Sequence, residues 1–257
     1  MKKFYKIFGI MAGICFTVGI AMVCIAAANG AGSLYDFWSS NGNAQMDKLE
    51  DKDTAEFKSI VVDTNVSTVE IVYGDTYGYE ISYVSSNTAS AKVVDGTLEI
   101  IIKEENKGFN FFNFIGMQEG KITIYVKKDQ TLENLEISTN VGNVTLEEME
   151  VTKKTKVEAN VGDIDVTGTY KNSTVLETNV GNIKFDGAIT GKGELSADIG
   201  DVKVTLEGRD YEIDSSTNVG DVKVDDKNKG KDYESENSSD NKLGVYTNIG
   251  DIKITRK

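Results

Sequence analysis

Hydrophobic and polar positions recur with a period of about 20 residues through the second half of the chain. The hexapeptide Thr-Asn-Val-Gly-Asn/Asp-Val first appears in full at residues 139–144, and each copy can be numbered from its Asn or Asp as position zero. Position zero falls at 140, 160, 179, 198, 218 and 248, so the intervals are nearly equal except for the last, which is half as long again. A fixed period of this kind is typical of stacked repeats, in which one unit cannot bury its apolar face alone. The position-zero and glycine residues are Asn140 and Gly142, Asn160 and Gly162, Asn179 and Gly181, Asp198 and Gly200, Asn218 and Gly220, and Asn248 and Gly250.

Four columns of aliphatic residues flank the glycine. They stand three residues before position zero and one, four and six residues after it, as Val157, Val161, Ile164 and Val166 do around Asn160. Apolar residues spaced by two on each side of a glycine predict two short strands, each with one buried face. We therefore expect all four columns to lie in the interior.

The Val-Gly pair predicts a bend between the two strands. It fits the centre of a type II turn, whose second central residue needs φ > 0. Hairpins prefer the mirror-image turns, so a bend is favoured over a hairpin within one sheet. Identical residues at identical offsets then stack in parallel. The sequence predicts an all-β fold, a single-stranded β-solenoid or β-roll of two-strand rungs of about 20 residues each.

The outward positions of the last three copies carry charge. An aspartate stands three residues after position zero and a lysine five residues after it, which predicts an acidic column beside a lysine column. The chain ends on charged residues at 256–257, which we expect to close the final rung of the stack against further strand addition.

The N-terminal region predicts a membrane anchor. Lysines within residues 1–6 precede an apolar run at 7–28 that is long enough to span a bilayer. This order predicts a cytoplasmic basic tip, a single transmembrane signal-anchor helix and an extracellular C-terminal β domain at the cell membrane. A cleaved signal peptide is the alternative, because alanines at 26–28 fit a small-residue cleavage site. Residues 29–56 follow as a juxtamembrane linker.

The β domain divides into an N-terminal part at 57–134 and the repeats at 135–257, and the regular pattern fails in two places. A Phe-rich insert either caps the open end of the stack or forms an exposed loop that contacts the bilayer or a partner. Its candidate contact residues are Phe109, Phe111, Phe112, Phe114, Ile115 and Met117. A polar, acidic stretch at 225–242 lengthens the last interval, and we expect a surface excursion without fixed structure or, alternatively, a partner-binding segment.

Composition excludes several function classes. The net charge of −13 disfavours nucleic acid, whose phosphates require a basic surface. The chain has no His, and its two cysteines, Cys15 and Cys24, lie in the N-terminal apolar run. We therefore predict no catalytic residue, no cofactor and no metal site. A calcium ladder is the alternative for the recurring Gly-Asp pairs, but the long period and the neighbouring lysines favour turn and surface roles.

The layout of residues 57–257 resembles a bacterial putative-adhesin family, a β-strand-repeat domain of unknown function. The resemblance rests on the segments at 62–71, 95–100 and 121–126 and on the tandem Asn-Val-Gly-Asp units. It implies a β-helix-like fold, often behind an N-terminal membrane segment, and it assigns no catalytic residue.

The leading hypothesis is a membrane-anchored, surface-exposed protein of a bacterial envelope that acts by binding, adhesion or scaffolding on a protein or glycan partner. A regulatory component of an envelope-stress response, acting through a membrane partner, is the first alternative. A carbohydrate-active enzyme is the second, and it is disfavoured because the carboxylates form outward ladders without a visible pair across a cleft. The sequence leaves the ligand, the handedness and the oligomeric state open.

Overall fold

A computed structural model of the chain describes residues 45–104 and 119–257, and these residues contain strands and turns but no helix. The apolar run at 7–28 and the six candidate contact residues between 109 and 117 lie outside the described residues. Within the described ranges, no helix is long and apolar enough to cross a membrane. The strands are β1 (Met46–Asp51), β2 (Ser59–Gly74), β3 (Gly78–Val84), β4 (Asn87–Val94), β5 (Thr97–Glu104), β6 (Gly120–Lys127), β7 (Leu132–Val141), β8 (Val144–Val161), β9 (Ile164–Val180), β10 (Ile183–Ile199), β11 (Val202–Leu206), β12 (Glu212–Val219), β13 (Val222–Val224), β14 (Lys227–Gly230), β15 (Asp232–Glu234), β16 (Lys242–Ile249) and β17 (Ile252–Arg256).

The repeats stack in parallel and in register. Strand β10 pairs with β9 from Ile183 opposite Ile164 to Ile199 opposite Val180, so that equivalent positions of successive repeats are neighbours. Strands β8 and β9 pair in the same way, with one irregularity between Leu146 and Met149. The prediction of an all-β repeat fold is therefore confirmed. Because successive repeats pair in parallel, the chain makes a bend at each glycine and not a hairpin.

Three of the four aliphatic columns form the core. In the repeat of Asn179 these columns hold Leu176, Ile183 and Phe185, and all three side chains are buried. Tyr170 packs edge-on against Phe185, with ring centroids 5.8 Å apart. One layer of buried side chains per rung thus continues along the stack and makes a single core.

The fourth column is exposed, and the prediction that it lies inside is wrong. Val180, one residue after position zero, is 44% exposed, whereas Thr178, one residue before it, is 3% exposed. The chain already turns at position zero, so the alternation of inward and outward side chains does not continue through the bend. A column of Thr or Ala takes the interior place that we assigned to Val or Ile.

The last repeat in the sequence is not the last rung in space. Strand β16 pairs in parallel with β10 on one side and β12 on the other, and β17 lies in the same way between β11 and β13. The repeat of Asn248 is therefore inserted between those of Asp198 and Asn218. The expectation that residues 256–257 close the stack is wrong, because β17 lies between β11 and β13 and presents the same columns as they do.

The acidic stretch at 225–242 instead covers the end of the stack that β12 and β13 form. Strand β14 pairs antiparallel with β13, and β15 pairs antiparallel with β12. The expectation of an excursion without fixed structure is wrong for these strands. The long last interval of the sequence has a physical reason, because the chain must cross the end of the stack before it re-enters as β16.

At the other end, β2 lies between β5 and β6 on one side and β7 and β8 on the other. Strand β4 covers β5, while β3 covers β6 and β1 covers β3, all antiparallel. Asp63 is opposite Ile101 and Ser67 is opposite Gly120. The chain between Glu104 and Glu119 lies outside the described residues.

Candidate interaction surface at the repeat corner

The bend of each repeat stacks on the bends of its neighbours and forms one long corner of the sheet. We call this the corner edge, and it comprises positions −1 to +2 of each repeat. In spatial order its position-zero residues are Asn65, Asn140, Asn160, Asn179, Asp198, Asn248 and Asn218.

The glycine at position +2 is required by the backbone and by close packing. Gly200 has φ of 149°, and a Cβ atom placed on it would stand 1.8 Å from the carbonyl oxygen of Gly181 in the next rung. The glycines of the other five full copies have φ between 141° and 154°. A type II turn needs φ of about +80° at this position. The bend therefore differs from the predicted type and uses a conformation that is essentially restricted to glycine.

The threonine at position −1 is buried, and its hydroxyl is hydrogen-bonded to the neighbouring rung. Thr178 donates its hydroxyl to the carbonyl oxygen of Gly162 at 2.9 Å, and Thr247 donates to that of Gly200 at 3.0 Å. A buried hydroxyl is costly unless it is hydrogen-bonded, and here each one binds a glycine carbonyl of the neighbouring rung. The Thr-x-x-Gly spacing is therefore a contact between repeats.

Position zero forms a ladder of side-chain amides. Asn160 donates to Asn140 at 2.6 Å, Asn179 donates to Asn160 at 2.9 Å, and Asn218 donates to Asn248 at 2.8 Å. Each residue of such a ladder accepts from one neighbour and donates to the other. Asp198 accepts from Asn248 at 2.9 Å, but its carboxylate has no hydrogen to give to Asn179.

Position +3 forms a second ladder with a different requirement. The backbone amide of Asn182 donates to Asp163 Oδ1 at 2.7 Å, and that of Asp201 donates to Asn182 Oδ1 at 2.9 Å. Because the side chain needs only to accept, Asn and Asp serve equally well here. The aspartates that resemble a calcium ladder thus have a structural role as caps of backbone amides.

Position +1 places an aliphatic line on the outside of the corner edge. In spatial order the line consists of Val161, Val180, Ile199, Ile249 and Val219, which are 44% to 59% exposed. Within the described residues the only other exposed large hydrophobic side chain is Val94. The sequence-based assignment missed this line, although a Thr or Ala column between two aliphatic columns was a signal that one of them faces outward.

Apart from Asp198, the charged side chains of the described repeats lie outside positions −1 to +2. Lys184 pairs with Asp165 at 2.8 Å across adjacent rungs, and Lys253 pairs with Asp226 at 2.8 Å. Lys203, Lys253 and Lys223 stack as neighbours, as the lysine column predicts. Lys184 is opposite Lys203 and extends this stack to four lysines. The aspartates of position +3 border the stack, so it is not an isolated basic surface.

The inserted repeat is fastened to the end of the stack by Arg256. Its Nη2 lies 2.7 Å from Asp225 Oδ2, and its backbone amide donates to Asp225 Oδ1 at 3.0 Å. Burial raises the pKa of Asp225, but the hydrogen bonds from Arg256 outweigh this and hold that pKa below its usual range. The pair joins β17 to the turn between β13 and β14.

An open groove of about 440 Å³ lies beside the irregularity between β8 and β9. Tyr73, Glu147, Glu148 and Lys184 are among its lining residues. The backbone of Glu148 has φ of 52°, and its amide donates to the hydroxyl of Thr167 at 2.7 Å. Its lining residues come from four strands, β2, β8, β9 and β10. In the described ranges, no three His, Cys, Asp or Glu side chains are placed to hold a metal ion.

Comparisons with known proteins agree with this architecture. A model of the Toastrack DUF4097 family matches residues 57–190 and 151–255. Comparison with curated proteins finds no match. The crystal structure of a putative cell adhesion protein from Clostridium sporogenes is 16% identical with a TM-score of 0.51, covering 83% of this chain and 100% of that one. The crystal structure of a putative adhesin from Bacteroides fragilis is 19% identical with a TM-score of 0.45, and the match covers 82% of this chain and 98% of that one.

At such identities the first likeness supports the fold alone. The family model is more decisive, because its matches extend from the strand before the first bend to the last strand of the inserted repeat. This chain belongs to the Toastrack DUF4097 family of all-β repeat proteins.

Proposed function

We propose that this chain is a membrane-anchored, surface-exposed β-repeat protein of a bacterial envelope that acts by binding or scaffolding, without catalysis. The observation that carries the proposal is the distribution of exposed apolar side chains. Five of the six large hydrophobic residues that are exposed in the described part of the chain form the aliphatic line. Apolar surface that gathers on one edge typically marks a contact.

The polar side chains of the repeats support a scaffold role. Two ladders join neighbouring rungs by hydrogen bonds. One consists of the amides at position zero, and the other of the carboxylates or amides at position +3. These groups stabilise the stack, so a ligand would gain little from them. The aliphatic line has no such role, because its side chains point away from the core.

The sequence supports the anchor. The apolar run at 7–28 follows a basic tip and precedes the body at β1, which is the order of an anchored extracellular domain. Catalysis finds less support, because the chain has no His and the family resemblance of residues 57–257 supplies no catalytic residue. A carbohydrate-active enzyme remains the unfavoured alternative, and turnover of a wall glycan by the purified full chain is its test.

Surface display can be tested with intact cells that express the full chain. We expect the protein to sediment with membranes, to resist extraction by alkaline carbonate and to be degraded by protease added outside the cell. Recovery in the soluble fraction, or protection from external protease, would contradict the proposed location.

Binding can be tested with the full chain held in phospholipid nanodiscs. We expect it to retain cells, wall glycans or matrix proteins above the level of empty nanodiscs. If it retains none of these but crosslinks to a membrane protein in intact membranes, the regulatory alternative replaces adhesion.

A further inference from the structure

We propose that the corner edge faces the lipid bilayer and that the aliphatic line contacts lipid along the length of the stack. This inference rests on the proposed anchor and adds the surface that the anchored body presents to the membrane. The strand register shows that the line is longer than the five exposed residues.

The register continues the line through the N-terminal half of the body. Val161 is opposite Val141, and Val141 is opposite Val66, so the column at position +1 passes into β2. Both valines are partly exposed. At the outer end Met46 is opposite Val84, and both are again partly exposed.

Strand β6 connects these two sections. Gly120 is opposite Ser67 and Lys121 is opposite Ser82, so Glu119, one residue before β6 begins, falls at the level of Val66 and Val84. The column at this level therefore crosses ten strands, with an apolar side chain in every strand except at Glu119. At about 4.8 Å per strand it is roughly 43 Å long.

Both stretches of chain outside the described residues join the body at this column. The N-terminal region ends at Met46, the first residue of β1, which belongs to the column. The segment between β5 and β6 returns at Glu119, which belongs to it as well. An anchor at residues 7–28 would raise the local concentration of the line at the membrane, because only residues 29–45 separate it from Met46.

The chemistry of the corner edge suits a lipid surface. Six of the seven position-zero residues that flank the line are uncharged asparagines, on a chain with net charge −13. The charged exception is Asp198, beside Ile199, and at one end Lys231 Nζ donates to the carbonyl oxygen of Asn218 at 2.6 Å. The acidic residues of position +3, such as Asp163 and Asp201, accept backbone amides next to the corner edge. Acidic residues beside the line favour zwitterionic lipid over anionic lipid.

A second copy of the chain fits this surface less well. A stable protein interface is a two-dimensional patch that buries about 1,200–2,000 Å² in total. The aliphatic line is one residue wide, and the bend glycines and the amide ladder border it closely. A fluid bilayer can receive a narrow line of side chains between head groups, whereas a rigid protein surface needs a matching groove.

The test places a fluorophore on the line and on a control position. In the full chain with Cys15→Ser and Cys24→Ser, a single cysteine is introduced by Val180→Cys or Ile249→Cys, or by Ser173→Cys as the control. Ser173 is exposed and lies in the same repeat as Val180, on the strand that precedes the bend. Each variant is labelled with an environment-sensitive dye and reconstituted into phosphatidylcholine vesicles.

Flotation of the vesicles first shows whether the chain is anchored. We expect quenching by spin-labelled lipid to be at least twofold stronger at residues 180 and 249 than at residue 173, with the reverse order for aqueous iodide. Adding Ile199→Asp to the Ile249→Cys variant should lower the lipid quenching, as should replacing half of the lipid by phosphatidylglycerol.

The outcomes separate the two proposals. If the chain floats with the vesicles but all three positions respond alike, the anchor stands and the lipid contact is refuted. If residues 180 and 249 are shielded from both quenchers, the line is covered by protein and the lipid contact is equally refuted. If the chain does not float, the proposed anchor fails, and the lipid contact that rests on it fails too.

Discussion

The interrupted amide ladder gives a prediction whose sign can be worked out from the structure. Asp198 accepts a hydrogen bond from Asn248 at 2.9 Å, but it cannot donate to Asn179 as an asparagine would. In the Asp198→Asn variant the new amide can donate to Asn179 Oδ1. The intact steps of the ladder have nitrogen–oxygen distances of 2.6 to 2.9 Å, so the geometry for this bond is in place.

The size of the effect follows from the exchange of one water contact for one amide contact. A net intramolecular hydrogen bond contributes about 0.5–1.5 kcal/mol, and exposure places this one near the lower end. The substitution also removes a charge-assisted acceptor and one negative charge. The Asp163→Asn variant makes the same two changes at position +3, where the side chain only accepts. We therefore expect Asp198→Asn to exceed Asp163→Asn in the free energy of unfolding by about 0.5–1 kcal/mol.

Urea unfolding of the full chain in detergent micelles, followed by far-ultraviolet circular dichroism, measures this difference. The same comparison in thermal unfolding should show a midpoint higher by roughly 1–4 °C. Equal stabilities of the two variants, or a lower stability of Asp198→Asn, would refute the claim that position zero needs both a donor and an acceptor.

Three further substitutions test other contacts. Gly200→Ala should lower the free energy of unfolding by about 1–3 kcal/mol more than Gly208→Ala. Both glycines have positive φ, but only a Cβ atom at residue 200 would meet a neighbouring backbone within 4 Å. Equal effects in urea unfolding would contradict this. Arg256→Ala should cost about 1–2 kcal/mol at pH 7, where the partner Asp225 with its lowered pKa is ionised. That stability is present above the unfolded pKa near 4 and is lost as pH falls through the lower folded pKa, so a difference that grows toward acid would be inconsistent with the ion pair. Burial and the charges of neighbouring glutamates raise the pKa of Glu177. Glu177→Gln should therefore stabilise the protein at pH 7, and this gain should be lost as pH falls through the raised pKa. Urea unfolding of the variant and the parent chain at pH 7 and pH 4 measures the gain and its loss.

The sequence was sufficient for the parts of the fold that repeat. A column of valines and isoleucines at fixed offsets predicts a buried strand face, and Leu176 and Ile183 lie where that pattern places them. The bend was less predictable because the alternation of side chains breaks there. Thr178 is polar by composition but buried, since the carbonyl of Gly162 accepts its hydroxyl, and this displaces the valine at position +1 to the outside.

The order of the rungs could not be predicted from the columns. Ile199 is opposite both Val180 and Ile249, and each pairing satisfies the same offsets. Only the long last interval indicated an exception, and it does not say whether the extra residues loop outward or cross the end of the stack. The corner edge was missed for a related reason, because its exposure depends on the bend conformation and not on the residue type.

The central claim is that the repeats build a scaffold and that the corner edge is the surface through which the anchored protein makes contact. Photocrosslinking in intact membranes tests it most directly, with benzoylphenylalanine at Val180 or Ile249 and at Ser173 as the control. The account predicts crosslinked products, with lipid or with a membrane partner, at the first two positions and few at the third. Equal yields at all three positions, or products from Ser173 alone, would contradict it.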